Sequence, residues 1–220
     1  MNIKHTEQDK LTDINTLSVA FTRSGVQSHS GILYLNPEGE AKLLHLENNR
    51  TLTKESPNSD FVWLHVNLPD IVKNLICLHC DIISENSQGK ILYDIDPTGI
   101  TFDIDGVFTQ KVPHTGLTCG TFILAVFRDV GIELINQNHW PIRENDIKWQ
   151  KMIVNLFSRY LEPNSNELIN KKIDDKLILR FRPEEVVSSA TLKNMPNTFS
   201  SIKEPSENLL KFYEELNSKS

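Results

Sequence analysis

The chain has 220 residues, 39% hydrophobic and 24% charged, with a formal net charge of −6. That balance supports a packed core rather than disorder, and the length suits one ordinary domain with an elaboration. An acidic chain without a run of Lys and Arg lacks the means to bind a phosphate backbone, so no nucleic-acid partner is expected.

The opening residues are polar and lack the apolar stretch of a secretory signal. No segment has the apolar length that crosses a bilayer. Three cysteines make a poor disulfide framework and fit a reducing compartment. The expected setting is cytoplasmic, or one reached by export without a cleavable signal, with no stable membrane insertion.

In chain order, residues 1–16 read as a polar leader, and Leu17–Phe21 reads as a first strand. Gly31–Leu35 and Ala41–Leu46 flank Asn36-Pro37-Glu38-Gly39, and turn residues between β-rich runs predict a hairpin. Residues 48–60 are polar and loop-like; Phe61–Val66 is a further strand. Pro69 and Asp70 open a run from Ile71 to Ile83 that predicts a helix buried on most of its surface. Ile91–Tyr93 and Ile100–Ile104 read as two short strands.

Phe122, Ile123, Val126, Phe127 and Val130 recur at three- and four-residue intervals before Gly131. This predicts an amphipathic helix that begins at or beside Cys119. A second helix runs from about Asp146 to Leu161 with Ile147, Ile153, Val154, Phe157 and Tyr160 inward. Residues 162–176 read as a connector and Leu177–Phe181 as a strand. Pro183 opens a short helix to about Ala190, and a last helix covers Leu209 to Leu216. The expected fold class is α+β: a small, mainly antiparallel sheet packed on the Cys119 helix. Residues 17–161 form its main domain, and residues 162–220 a helical elaboration that caps the cleft or binds a partner.

A catalytic thiol needs an ionised sulfur, a base and donors for the oxyanion. A helix N-terminus favours thiolate and points free N–H groups at developing negative charge. Cys119 holds that position, with Gly116 and Gly120 leaving room beside it. A buried, inert thiol is the commoner state of a lone cysteine, and the histidines alter that balance. His29 and His45, 45 − 29 = 16 residues apart, belong to the first hairpin, whose antiparallel strands bring their ends together. One imidazole then serves as base and the other fixes its tautomer.

Three segments carry a resemblance. Ser28-His29-Ser30-Gly31-Ile32-Leu33-Tyr34-Leu35, then Leu43-Leu44-His45-Leu46, then Cys119-Gly120-Thr121-Phe122 resemble the permuted papain-like superfamily. That group includes lecithin:retinol acyltransferase-like enzymes and bacterial relatives of the NlpC-type amidases. The match covers roughly residues 17–131, and the His45-to-Cys119 gap of 119 − 45 = 74 residues is similar to the family's. The resemblance implies a papain-like core in permuted order, with Cys119 as nucleophile, His29 as base and His45 as third polar member. His114, Gly116, Gly120 and Tyr34 are the expected cleft contacts. The implied reaction is hydrolysis of an amide (peptide or isopeptide) or ester bond in a peptide, protein or acyl substrate, through an acyl-enzyme, with no cofactor or metal. An acyltransferase or lipid thioesterase would use the same residues, and a non-catalytic binding module would use only the scaffold.

Other groups favour plainer readings. Cys77-Leu78-His79-Cys80 has no second cysteine pair to complete a zinc site and reads as core. His139 lies only 139 − 119 = 20 residues after Cys119, most of them helix, which leaves little chain for a returning strand. Asp94, Asp96, Asp103 and Asp105 match no calcium-loop pattern and read as strand-end and turn residues.

Overall fold

In the computed structural model, residues 2–5, 16–47, 51–87, 91–111, 115–158 and 165–218 are described. The main sheet contains β1 (Ile3–His5), β2 (Leu17–Ser24), β3 (Gln27–Leu35), β4 (Ala41–Leu46), β5 (Leu52–Glu55) and β6 (Val62–His65). Its order is β1-β6-β2-β3-β4-β5, with every neighbouring pair antiparallel. β7 (Ile100–Phe102) and β8 (Phe108–Gln110) make a separate two-stranded ribbon. Among the described residues six α-helices follow or intervene: α1 (Asp70–Asn86), α2 (Cys119–Asp129), α3 (Glu144–Phe157), α4 (Ser165–Asp174), α5 (Pro183–Ala190) and α6 (Phe199–Asn217). The class is α+β, as the alternation of strand-like and helix-like runs leads one to expect.

Successive strand residues point to opposite faces, and this divides the sheet. Leu17, Val19, Phe21, Ile32, Tyr34, Leu44 and Leu64 join the larger core beneath the helices. Ala20, Leu33, Leu43, Phe61 and Trp63 form a smaller cluster on the other face. The larger core also takes Phe122 and Val126 from α2, Ile169 from α4, Val186 from α5 and Leu209 from α6. The segment after residue 162 is therefore built into the same core as the hairpin. Among the described residues no helix is long and apolar enough to cross a membrane.

Several elements differ from the sequence reading. The polar leader contributes β1, an edge strand paired with β6. Residues 52–55, expected as loop, form β5, where only Leu52 is buried and the polar residues suit a sheet edge. Ile91–Tyr93 makes no strand; Tyr93 forms a single bridge to Leu117. α1 is amphipathic rather than buried all round, with Ile71 73%, Leu75 52% and Leu78 52% exposed.

The supposed connector contains α4, whose Ile169 and Ile173, one turn apart, are buried in an otherwise Asn- and Lys-rich stretch. Leu177–Phe181 belongs to no ladder. Side chains serve its carbonyls instead: Gln150 Nε2 donates to Ile178 O at 3.3 Å and Trp140 Nε1 to Arg180 O at 3.1 Å. α6 begins at Phe199, well before the expected Leu209, and carries Pro205 inside it. In α3, Ile153 and Val154 are buried and Ile147 partly so, while the Phe157 side chain and Tyr160 lie outside the described residues.

Gly31 faces His45 across β3 and β4 in the smaller-cluster face. A side-chain carbon there would sit 2.9 Å from His45 Cβ and 3.0 Å from Leu44 O, closer than packed atoms allow. Gly31→Ala is expected to destabilise the protein by about 1–3 kcal/mol, measured by urea unfolding, because the backbone contact leaves no soft side chain to yield. An unchanged midpoint would mean that the hairpin opens at no cost.

Candidate active site

A cleft of about 610 Å³ opens at the turn end of β2 and β3. Its walls come from that hairpin end, from the start of α2, from α3 and from the segment leading into α5. Cys119, Thr118, His29, Trp149, Arg180 and Glu184 all line it.

α2 starts at Cys119 because Thr118 caps it. Thr121 N–H donates to Thr118 Oγ1 at 3.2 Å, and Thr118 N–H donates to Thr121 Oγ1 at 2.7 Å. Phe122, fully buried and edge-on to Phe102, fixes the first turn in the core. The cysteine is thus held at a helix N-terminus, and is itself only 6% exposed. Burial pushes its thiol up. The backbone and hydroxyl of Ser30, and the amides of Gly120 and Cys119, pull in the opposite sense. The Ser30 hydroxyl is fully buried and makes no well-formed hydrogen bond among the described residues, so the sulfur is where its polarity is felt.

The two histidines meet as the hairpin predicts. His29 Nε2 lies 2.9 Å from His45 Nδ1, their rings edge to face, and both rest against Phe61. His45 Nε2 lies 3.5 Å from Glu55 Oε1. Burial, then repulsion from His45, depresses His29 to about 4. Burial also lowers His45, against the upward pull of Glu55. Both imidazoles therefore rest neutral.

Alternation sets the relation between imidazole and sulfur. Ser30, Ile32 and Tyr34 turn to the face under α2, whereas His29 and Gly31 turn to the face that holds Phe61. Cys119 lies against Ser30, and among the described residues no hydrogen bond joins its sulfur to either histidine. His29 and Cys119 share the cleft at the rim of the sheet rather than a direct contact.

The expected cleft contacts fare unevenly. Tyr34 is fully buried on the helix side of the sheet, and its hydroxyl donates to Asp81 Oδ1 at 3.1 Å, away from the cleft. Gly116 admits neighbouring chain rather than substrate: a side-chain carbon there would lie 2.6 Å from both Asp94 Cβ and Leu92 O. Gly120 does the same for the wall, where such a carbon would come within 3.0 Å of Phe181 O. His114 lies outside the described residues.

Cys77 and Cys80 are buried and unbridged, His139 is exposed on a 3₁₀ turn, and among the described residues no cluster of ligands could hold a metal ion. Asp96 pairs with Lys172 at 2.6 Å, and Asp103 accepts the amides of Asp105 and Val107 in a turn.

Residues that sequence reasoning passed over complete the site. Glu55 sits in the supposed loop; a β5 strand alternating Leu52 inward would have put it on the His45 face. Arg143, Arg180 and Arg182 converge on Asp146, and Arg143 also grips Glu185; of these, Arg180 and Arg182 line the cleft. Arg180 stacks over Trp149 at 3.7 Å. Comparison of the chain with protein-family models, with curated proteins and with solved structures finds no match.

Two measurements follow from these environments. Removing a donor to the thiolate raises the thiol, so Ser30→Ala is expected to move the pH profile of Cys119 alkylation to higher pH. A superimposable profile would show that Ser30 is only packing. For His29, folded near 4 against an unfolded value near 6.5, stability is full above about 6.5 and is lost as pH falls toward 4. The stability difference between wild type and His29→Gln should therefore shrink by roughly 2–3 kcal/mol from pH 7.5 to pH 4.5. A constant difference would place His29 in a solvated setting.

Proposed function

We propose that the chain is a thiol hydrolase with a papain-like core in permuted order, cleaving an amide or ester bond through an acyl-enzyme on Cys119. One observation carries the reading. Cys119, at the capped start of α2, and His29, 119 − 29 = 90 residues earlier in the chain, line one cleft, and His45 holds the imidazole from behind.

The polar chain behind His29 supports one arrangement of protons. Glu55 favours a proton on His45 Nε2, which leaves His45 Nδ1 to accept from His29 Nε2–H. The bare nitrogen of His29 is then Nδ1, and it is the base. His29 Nδ1 takes the Cys119 thiol proton and the sulfur attacks the carbonyl carbon. His29 then returns that proton to the departing amine or alcohol. Water, deprotonated by the same nitrogen, cleaves the thioester and restores the thiol. The Cys119 N–H supplies part of the oxyanion hole. With both partners neutral at rest, proton transfer waits for a substrate that draws imidazole and sulfur together, as unliganded sites commonly require.

Transfer of the acyl group to an amine or lipid would use the same residues. A non-catalytic binding module is the competing reading, and the buried sulfur without a hydrogen bond to imidazole favours it. An activated ester such as p-nitrophenyl acetate separates the two. A stoichiometric burst with the acetyl group on the Cys119 peptide is expected, absent in Cys119→Ala. His29→Gln should slow acylation by roughly 10²–10⁴, and Glu55→Gln by less, since that carboxylate acts through His45. If the wild-type protein gives no burst above Cys119→Ala, the chain is not a thiol hydrolase.

A further inference from the structure

Glu184 is the second residue of α5 and lines the same cleft as Cys119. It is only 7% exposed, yet among the described residues its Oε2 has no hydrogen-bond partner. A buried carboxylate oxygen left without a donor is costly, so such an atom points to a group that arrives with the occupant. Rotation about the last side-chain torsion of a glutamate is soft, and it carries the carboxylate oxygens toward or away from the cleft.

Local charge decides what kind of donor fits. Arg143, Arg180 and Arg182 supply three positive charges, and Asp146, Glu184 and Glu185 supply three negative ones. The pairs formed are Arg143 with Asp146 and Glu185, Arg180 with Asp146 at 3.1 Å, and Arg182 with Asp146 at 2.9 Å. Glu184 completes the balance, and its charge is felt at Arg180. An ammonium or a carboxylate entering here would upset that balance, whereas a neutral N–H leaves it intact and still gains a charge-assisted hydrogen bond. An acyl chain brings no donor at all.

We propose that Glu184 is a specificity residue that accepts a backbone amide N–H of a peptide substrate, placing the peptide between the α5 wall and Cys119. The inference rests on the thiol-hydrolase reading for its chemistry and selects peptide over acyl lipid within it. The wall is well placed for this. Gly120, next to the nucleophile, packs directly on Phe181, three residues before Glu184, so the bound amide and the sulfur share one short stretch of cleft.

The test deletes single N–H groups. Cys119 is labelled with an acetyl-trialanyl chloromethyl ketone, with its singly N-methylated analogues and with a dodecanoyl chloromethyl ketone. Adducts are located by mass spectrometry, and each rate is expressed relative to iodoacetamide on the same protein. In wild type the peptide reagent is expected to outpace the dodecanoyl one by at least about tenfold, and one N-methylation is expected to cost about tenfold. That penalty should fall below about threefold in Glu184→Met, which keeps the length and loses the acceptor, and lie between in Glu184→Gln. Equal penalties in all three proteins, or dodecanoyl labelling as fast as peptide, overturn the proposal. A separate titration of Cys119→Ala with acetyl-trialanine amide, read by Trp149 fluorescence, reports binding without chemistry. Weaker binding in Cys119→Ala/Glu184→Met than in Cys119→Ala supports the Glu184 site even where iodoacetamide shows Cys119 to be inert, and equal binding overturns it.

Discussion

Gly31 has no side chain, and the pairing of β3 with β4 needs it to have none. His45 Cβ and the Leu44 carbonyl occupy the space that a larger residue would claim. That close approach brings His45 against His29, at 2.9 Å, and it pins the register in which Ser30 falls under α2 while His29 falls on the opposite face. A slip of one residue would exchange these faces, presenting imidazole to the helix and removing the hydroxyl from the sulfur. The candidate site therefore depends on a steric fit in the hairpin before it depends on any catalytic group.

What the sequence disclosed followed its local rules. The Asn36-Pro37-Glu38-Gly39 turn, the three- and four-residue spacing after Cys119 and the Pro183 helix start each act within a few residues, and each appears where expected. Composition misled at α4, where two isoleucines one turn apart are the whole apolar stripe and polar residues hide it. It misled again at Leu177–Phe181, which has strand-like residues but gets its hydrogen bonds from Gln150 and Trp140. Those partners are distant in sequence, so no local rule finds them.

For the site, residue chemistry singled out Cys119, His29 and His45, and turn geometry joined the histidines. Tyr34 was legible and misjudged: it stands an odd number of residues from His29, so a strand must send it to the other face. Glu55 and Glu184 escaped because their roles depend on register and packing. The same holds for the segment after residue 162. It supplies Arg180, Arg182 and Glu184 to the cleft, and its Phe181 seats against Gly120. Without it the start of α2 would face solvent on that side, so it forms part of the site rather than an appendage.

Burial explains why the sulfur and the imidazole rest uncharged and how each is prepared for charge. A desolvated thiol and a desolvated imidazole both resist ionisation, and His45 adds repulsion that further disfavours an imidazolium. The resting site therefore lacks the standing ion pair that often activates a cysteine. The polar groups beside the sulfur are neutral: the Ser30 hydroxyl and backbone, and the first amides of α2. Such donors are fixed by the fold and need no proton to be in place, so they stabilise negative sulfur without holding a positive charge in a dry cleft. In the proposed mechanism the imidazole is charged only while it carries the proton between thiol and leaving group. The Glu55 carboxylate behind His45 is positioned to favour that brief cation. A buried Cys119 with neutral partners is thus compatible with the proposed catalysis, provided that the occupant closes the gap to His29.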